Sequence, residues 1–555
     1  MDDPRCWYDG RLRALGDELG AIGARYDQFA WCRLVVLLFA IAFAVATPWR
    51  GLGTPGWAAC AAAALLFVVL RTMHRRLAGR RDTVLLKKQY AERGLSRLNG
   101  KWSAFEQHGA RYLQPDHPYA LDLDIFGSGA LFQLLNDTRT AMGQSCLATW
   151  LASPANVSTI AARQRAIVEL AALHHLREDL AVAGTRTTDD NPDPEPLLVW
   201  ASREPSLRAS TALRVVAWLS PALLIALLSL ASHPLVPSWA FLVPFIINSL
   251  LLVKLGPTLR AIIDATSARA DELEKFGRML ALIEKGSFES PAMLALQASV
   301  RASGRTASRE IAALARIVSI LDARLNGAFR AVIAPALMWD VHCAIALEKW
   351  QNRVGLAARG WLQALAEFEA LSSLATFAFE HPDYALPSIS DDRDALHFTA
   401  EGLGHPLIDA QRRVVNDVAL PGPGSVLLVT GSNMSGKSTL LRSIGVAAVL
   451  ALAGAPVCAR RLSMSRCVVR SSLRVSDSLR DGISRFYAEL LKIKGVTDSA
   501  TSGEPVLFLL DEILHGTNSR ERHIGARSII RNLIAQGTIG AVSTHDLALT
   551  ALAEE

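Results

Sequence analysis

Ser425-Val-Leu-Leu-Val-Thr-Gly431-Ser432-Asn433-Met434-Ser435-Gly436-Lys437-Ser438-Thr439 decides how this chain of 555 residues is read. The apolar run at its head reads as a buried parallel strand, and the glycine-bounded loop follows at once. Leu440-Leu-Arg-Ser-Ile-Gly-Val-Ala-Ala-Val-Leu then reads as a helix packed on the sheet. This is G-x-x-x-x-G-K-[ST] in the strand–loop–helix setting that the motif requires. The glycines let backbone N–H groups curl round a phosphate, and the helix N-terminus adds its positive dipole end. Lys437 is placed to reach the outer phosphates of a nucleotide, and Ser438 to ligate Mg²⁺. A chance glycine-rich turn is the alternative, and it gives no reason for the strand before the loop or the helix after it.

Two later runs extend the same chemistry. Pro505-Val-Leu-Phe-Leu-Leu-Asp511-Glu512 is a second buried strand ending in two carboxylates. An aspartate there can hold Mg²⁺ through water, and the adjacent glutamate can orient or activate an attacking water. By itself such a run is a weak signal; behind a phosphate loop it is a strong one. Gln536-Gly-Thr-Ile-Gly-Ala-Val-Ser543-Thr544-His545 is a third strand, and its histidine is placed to sense the terminal phosphate. A lone histidine is more often a surface or cap residue, so its role rests on the other two motifs.

The length leaves room for three or four domains. Hydrophobic residues make up 51% and the mean hydropathy is +0.24, an excess concentrated in two places. The net charge of +6 permits contact with nucleic acid or anionic lipid without arguing for either. Seven cysteines without C-x-x-C spacing suit a reducing compartment and speak against a zinc site or a disulfide framework.

The first apolar concentration is a pair of runs. Leu34 to Ala46 is flanked by Trp31 and Trp49; Trp57 to Leu70 follows a Gly/Pro turn. Each is a little short of the ~20 residues needed to span hydrocarbon, and the tryptophans extend them. Arg71, Arg75, Arg76, Arg80, Arg81, Lys87 and Lys88 crowd the exit. The pair reads as a membrane hairpin with both ends cytoplasmic, a buried hairpin of a soluble core being the alternative. The second concentration repeats the pattern: runs 215–231 and 239–253 lie inside Arg208, Arg214, Lys254 and Arg260, with no Lys or Arg at the tip. Pro221 and Pro244 are expected to kink these limbs, which packed membrane helices tolerate. Between and after the hairpins the periodicity is helical, interrupted by a proline-rich acidic loop at 187–196. A helix is expected within 138–154, stopped by Pro154, and another from Ile160. The stretches 311–321 and 340–350 read as plain helical scaffold.

The last domain resembles the ATPase domain of MutS proteins, the ABC-related ATPases of DNA mismatch repair. The resemblance is carried by 430–439, by Asp511-Glu512 with Gly516-Thr517, and by Ser543-Thr544-His545. Gly482-Ile-Ser484-Arg-Phe-Tyr-Ala-Glu489 is similar to the family's signature segment. His405-Pro406 and Asn416 fall where the family places its adenine-side contacts. Upstream, 138–154 and the helix from Ile160 resemble the start of the family's helical lever, and 368–375 its return. The likeness covers roughly 120–210 and 260–550.

It implies ATP and Mg²⁺ as cofactors, and a homodimer through the ATPase domain in which Ser484 of one chain completes the site of the other. It also implies double-stranded DNA as a partner, beside the lipid bilayer read from the hairpins. No Phe-x-Glu triplet occurs in the sequence, so the family's mismatch wedge is expected to be missing. Family members carry further strands and a dimerising tail beyond the point where Glu555 stands, so an impaired ATPase is one expectation. The expected fold is an α/β P-loop ABC-type ATPase domain plus an all-α lever domain, with two transmembrane helical hairpins. The divisions are a first hairpin at 1–83, lever at 84–210, a second hairpin at 211–256, lever again at 257–385, and ATPase at 386–555. Function is expected as a DNA-binding, ATP-driven sensor at the cytoplasmic membrane, or as a membrane ATPase that acts on its own spans or a protein partner without DNA. A degenerate, inactive copy is the third reading.

Overall fold

The computed structural model describes residues 3–51, 53–185, 193–207, 210–231, 233, 236–267, 269–301, 306–392, 395–432, 435–474, 485–514, 518–545 and 549. The chain forms two compact units, Met1–Glu106 with Phe379–Pro382, and Gln107–Ala378 with Asp383–Glu555.

The first unit is an antiparallel pair of helices, Pro4–Trp49 and Gly53–Leu98, each of 46 residues. At ~1.5 Å per residue each is ~70 Å long, about twice what a bilayer core needs. Only the turn-proximal half of each helix is the apolar run read from the sequence. The other half is a coiled-coil stalk: Tyr8, Leu15 and Ile22 recur every seven residues, as do Leu77, Val84 and Ala91. All but Leu77, which packs against that cluster, are buried. The expected boundary at 83/84 therefore falls inside a helix, because the heptad spacing runs on to Leu98 without a breaker. Near the open end the helices approach so closely that a Cβ on Gly94 would lie 2.2 Å from the Tyr8 ring. There Arg97, with 4% of its side chain exposed, donates through Nε and Nη2 to Glu380, which is 1% exposed. The Tyr8 hydroxyl donates to the same carboxylate at 2.8 Å.

In the second unit the helical region is gathered on one helix of 42 residues, Trp339–Glu380. The helix expected within 138–154 is Ala141–Ala152, capped by the Thr140 hydroxyl. The long helix supplies Glu369, whose carboxylate accepts from the Arg139 amide at 2.6 Å and from the Thr140 hydroxyl. The run from Ile160 is broken at Leu173 into Val157–Ala172 and His174–Gly184. The loop expected at 187–196 lies largely outside the described residues.

The second apolar pair forms the helices Thr211–Ser229 and Leu242–Thr266. Asn248, fully buried, accepts from Ser220 at 2.5 Å and joins them by a polar contact. Pro221 and Pro257 lie inside these helices. Pro244, expected to kink its limb, instead sits in a first turn, where its missing N–H breaks no helical bond. The second limb also runs ten residues past the expected limit at 256. Among the described residues, four helices, the two pairs just given, are long and apolar enough to cross a membrane, and Phe329–Ala336 with Trp339–Glu380 passes the same criterion only as a bent pair.

The stretches 311–321 and 340–350, read as helical scaffold, lie in the helices Ala307–Leu321 and Trp339–Glu380, and the chain bends sharply between them. Phe329–Ala336 meets the long helix at a bend of 71°, at Met338 with φ +48°. Pro335 and the apolar run 331–338 were the signals.

Strands and helices alternate in the last region, as expected. β1 (Ser388–Ser390), β2 (Phe398–Leu403), β3 (Asn416–Leu420) and β5 (Arg461–Ser465) form a mixed sheet in the order β1-β5-β2-β3. β4 (Val426–Thr430), β6 (Val468–Ser472), β7 (Val506–Asp511) and β8 (Ile539–Thr544) form an all-parallel sheet ordered β4-β8-β7-β6. The helices Lys437–Ala453, Arg485–Thr501 and Ser519–Ala535 accompany it. Val506 to Leu510 are all fully buried, the continuous apolar run that a parallel sheet covered by helices demands.

Removing one partner of a buried ion pair leaves a stranded charge, at a cost of ~3–5 kcal/mol. Glu380→Ala should therefore raise amide exchange in 4–22 and 77–98 strongly. The double variant with Arg97→Met should recover part of that protection, as read by hydrogen-exchange mass spectrometry.

Candidate functional site

The parallel strands point their carboxyl ends at one place. The loop after β4 turns through Gly431 at φ +154° and Gly436 at φ +90°. Nothing lies within 4 Å of where a Cβ on Gly436 would be, so glycine is required there for conformation and not for space. Lys437 opens the following helix and is buried. Its Nζ donates to the carbonyls of Gly431 at 2.7 Å and Ser432 at 3.1 Å. Ser435 lies within the loop, and Ser438 and Thr439 complete the first helical turn.

His545, just beyond β8, brings its ring nitrogens to 3.3 and 3.4 Å from that ammonium. Its Nε2 lies 2.5 Å from Glu512, just beyond β7. With the proton on Nε2, the ring donates to the carboxylate and can still accept from Lys437 on the other nitrogen. Lys437, His545 and Glu512 thus form one chain of contacts across three neighbouring strand ends. Asp511 accepts from the Ser543 hydroxyl on the adjacent strand.

Glu512 has φ +49° and Leu514 φ +60°, conformations that side-chain-bearing residues rarely adopt. Such strain persists where the surroundings enforce it. Here the Glu512 amide donates to the Ser543 carbonyl at 3.2 Å, and the Leu514 amide donates to the buried Glu489 carboxylate. Glu489 closes the stretch read as similar to a signature segment, but this contact with Leu514 was not anticipated.

Asn433, Met434, Ser484, Gly516 and Thr517 lie outside the described residues. Asn416 stands at the exposed start of β3, in the mixed sheet and not the parallel one. His405 is 7% exposed, and burial, reinforced by Arg442, pushes its pKa down to about 4. At neutral pH it is an uncharged ring.

The architecture is thus of the open α/β class, whose ligands sit beyond the carboxyl ends of parallel strands. The family model for MutS domain V matches residues 427–555, and that for MutS domain III matches 120–346. Similar curated proteins include "DNA mismatch repair protein MutS 2" of Halobacterium salinarum, 36% identical over 197 residues, 35% of this chain and 22% of that protein. "DNA mismatch repair protein MutS" of Shouchella clausii is 33% identical over 198 residues, 34% of this chain and 22% of that protein. That of Geobacillus kaustophilus is 34% identical over 198 residues, 34% of this chain and 21% of that protein. This protein belongs to the MutS family. The shared stretch spans about a fifth of the length of these relatives. The domain III match runs on across the second apolar pair, where the sequence had suggested a gap in the likeness.

His405 supplies a pH dependence. Its folded pKa is depressed below the ordinary 6.5, so its contribution to stability is present above 6.5 and is lost as pH falls towards 4. Asp124, Arg413 and Arg442 are the charges acting on it. A His405→Gln variant should flatten the loss of thermal stability between pH 6.5 and 4, as scanning calorimetry would read.

Proposed function

We propose that this protein is a membrane-anchored ATPase of the MutS family that couples ATP turnover to contact with DNA. The observation that carries this reading is the convergence of Lys437, His545 and Glu512 on one glycine-bounded loop. Lys437 acts as the point charge on the outer phosphates. Glu512 orients and deprotonates the attacking water, and His545 fixes that carboxylate and faces the terminal phosphate. The Ser438 hydroxyl and the Asp511 carboxylate are hard oxygen donors, of the kind Mg²⁺ takes while keeping several waters, and they would hold that ion. When bound with ATP, Mg²⁺ neutralises phosphate charge.

The domain assignment is part of the same proposal: lever at 84–210 and 257–385, ATPase at 386–555, and hairpins at either side of the first lever segment. The ATPase domains pair as a homodimer, with Ser484 of each chain completing the other's site. The relatives' names support DNA as the partner. The four membrane-length helices support anchoring in the cytoplasmic membrane, with the soluble parts in the cytoplasm. They equally favour a second reading, in which ATP turnover moves the spans or a protein partner without DNA.

Lys437→Ala should abolish ATP binding, whereas Glu512→Ala should keep ATP bound and slow hydrolysis by about 10²-fold or more. Isothermal titration and steady-state phosphate release separate the two; equal loss of binding in both would refute these roles. Salt-dependent anisotropy of a labelled duplex separates the readings, since a protein that neutralises phosphates loses affinity steeply with salt. Absence of duplex binding at low salt would leave the membrane reading.

Topology follows from the basic flanks. A single cysteine at Ser232 should react with an impermeant thiol reagent on intact cells, and one at Thr83 should not. The reverse pattern would invert the orientation, and extraction by carbonate would remove the spans altogether.

A further inference from the structure

The turn-rich segment ahead of the lever helices is fastened to the parallel sheet by more polar contacts than a linker needs. The Pro118 carbonyl accepts from the amide and the hydroxyl of Ser471 on β6, at 3.0 and 3.1 Å. Asp122 is 2% exposed and accepts from Ser471 Oγ, the amides of Leu473 and Arg474, and Lys492 Nζ at 2.7 Å. Asp124 takes Arg474 in a fork, at 2.6 and 3.0 Å. The same carboxylate accepts from Arg442 at 3.4 Å.

Arg442 lies on the helix that Lys437 opens, and Arg474 follows β6, so one carboxylate holds both a wall of the nucleotide site and the exit of the edge strand. Its own backbone faces the other way: the Asp124 carbonyl accepts from the Leu131 amide at 2.8 Å, at the start of the short helix Leu131–Leu135. From there the chain leads directly to Ala141–Ala152.

The two aspartates differ in kind. Asp122 is enclosed and fully satisfied, so it anchors the segment. Asp124 is 34% exposed, and its arginines are 43% and 25% exposed. Pairs that wet contribute little to stability. A forked contact kept at a half-open junction is suited to being loosened and remade when the helix after the phosphate loop shifts.

We propose that Asp124 is a positioning residue that transmits nucleotide binding from the Lys437–Ala453 helix to the first lever helices, through Arg442 and Arg474. This rests on the nucleotide reading above. Asp124 has φ +52°, which asparagine tolerates as readily as aspartate, so Asp124→Asn removes the charge without disturbing the turn. Arg474→Gln removes the partner's charge from the other side.

The test is hydrogen-exchange mass spectrometry on the full chain, with and without a non-hydrolysable ATP analogue, together with titration of the analogue. In the parent protein, analogue binding should change exchange across 131–152. In Asp124→Asn and in Arg474→Gln that change should fall about fivefold or more, with analogue affinity within about threefold of the parent. The double variant should be no worse than either single, because both remove the same contact. An undiminished response in either single variant overturns the proposal. So does a parent that binds the analogue with no response in 131–152. A parent that binds no analogue overturns the nucleotide reading first, and this proposal with it.

Discussion

The helix Trp339–Glu380 has to bury polar side chains along most of its length, and several of them are matched to a backbone end or a charge elsewhere. Gln351 donates to the carbonyls of Trp200 and Arg203, where one short helix ends. Glu369 receives the amide and hydroxyl at the start of another helix, and Ser373 receives the Asp137 amide beside it. Thr376 takes the guanidinium of Arg177, and Glu380 takes Arg97 and Tyr8. An unpaired buried group costs more than a paired one returns, so these matches specify where each element stops more than they add to stability. Burial raises the pKa of Glu369, and the hydrogen bonds from Thr140 and Arg139 pull against it. A carboxylate under that tension is a poor place for substitution: a Cβ on Gly143 would already lie 2.6 Å from its oxygen.

The same economy governs the carboxyl ends of the parallel strands. β7 and β8 are buried along almost their whole length and β4 in part, and the three strands deliver the loop, the histidine and the two carboxylates at their carboxyl ends. The cost appears as backbone strain at Glu512 and Leu514. The neighbouring strand and the buried Glu489 enforce it through hydrogen bonds to those two amides. The Leu514–Glu489 hydrogen bond thereby ties the Arg485–Thr501 helix to the strained turn after β7. Replacing Glu489 would release Leu514 and let Glu512 relax.

Much of this was readable from the residues because the signals are local. The glycine-bounded loop between β4 and its helix, the apolar runs ending in Asp511-Glu512 and in His545, and the long apolar helices each announce themselves within about twenty residues. What escaped depends on pairing over long distances. Arg97 with Glu380, Asp124 with Arg442 and Arg474, and Glu489 with Leu514 join positions that no spacing rule connects. The heptads at Tyr8, Leu15 and Ile22 were local and legible, yet a polar stretch with arginines reads as surface until its partner helix supplies the other face. At the break by Met338, Pro335 was the local signal, and the helical periodicity on both sides drew attention away from it.

The exposed apolar surface of the two helical pairs decides how far a soluble reading can go. Trp31, Leu38, Phe39, Val45, Trp49, Trp57 and Leu65 are each more than half exposed, and all lie in the turn-proximal halves of the first pair. Trp218, Leu219, Ile225, Ile246 and Leu250 repeat the condition in the second. Folded monomers rarely leave contiguous apolar patches above a few hundred Å² in water. Fully burying one such side chain is worth ~1.5–3 kcal/mol, so covering a dozen outweighs the few kcal/mol by which a domain is ordinarily stable. A soluble core would have to place these faces against its own helices, and in the first pair the most apolar windows are 0% and 6% buried. Tryptophans stand near the ends of these windows, and a stalk of charged residues follows the first pair on its open side only, so the apolar surface of that pair is concentrated in its turn-proximal halves.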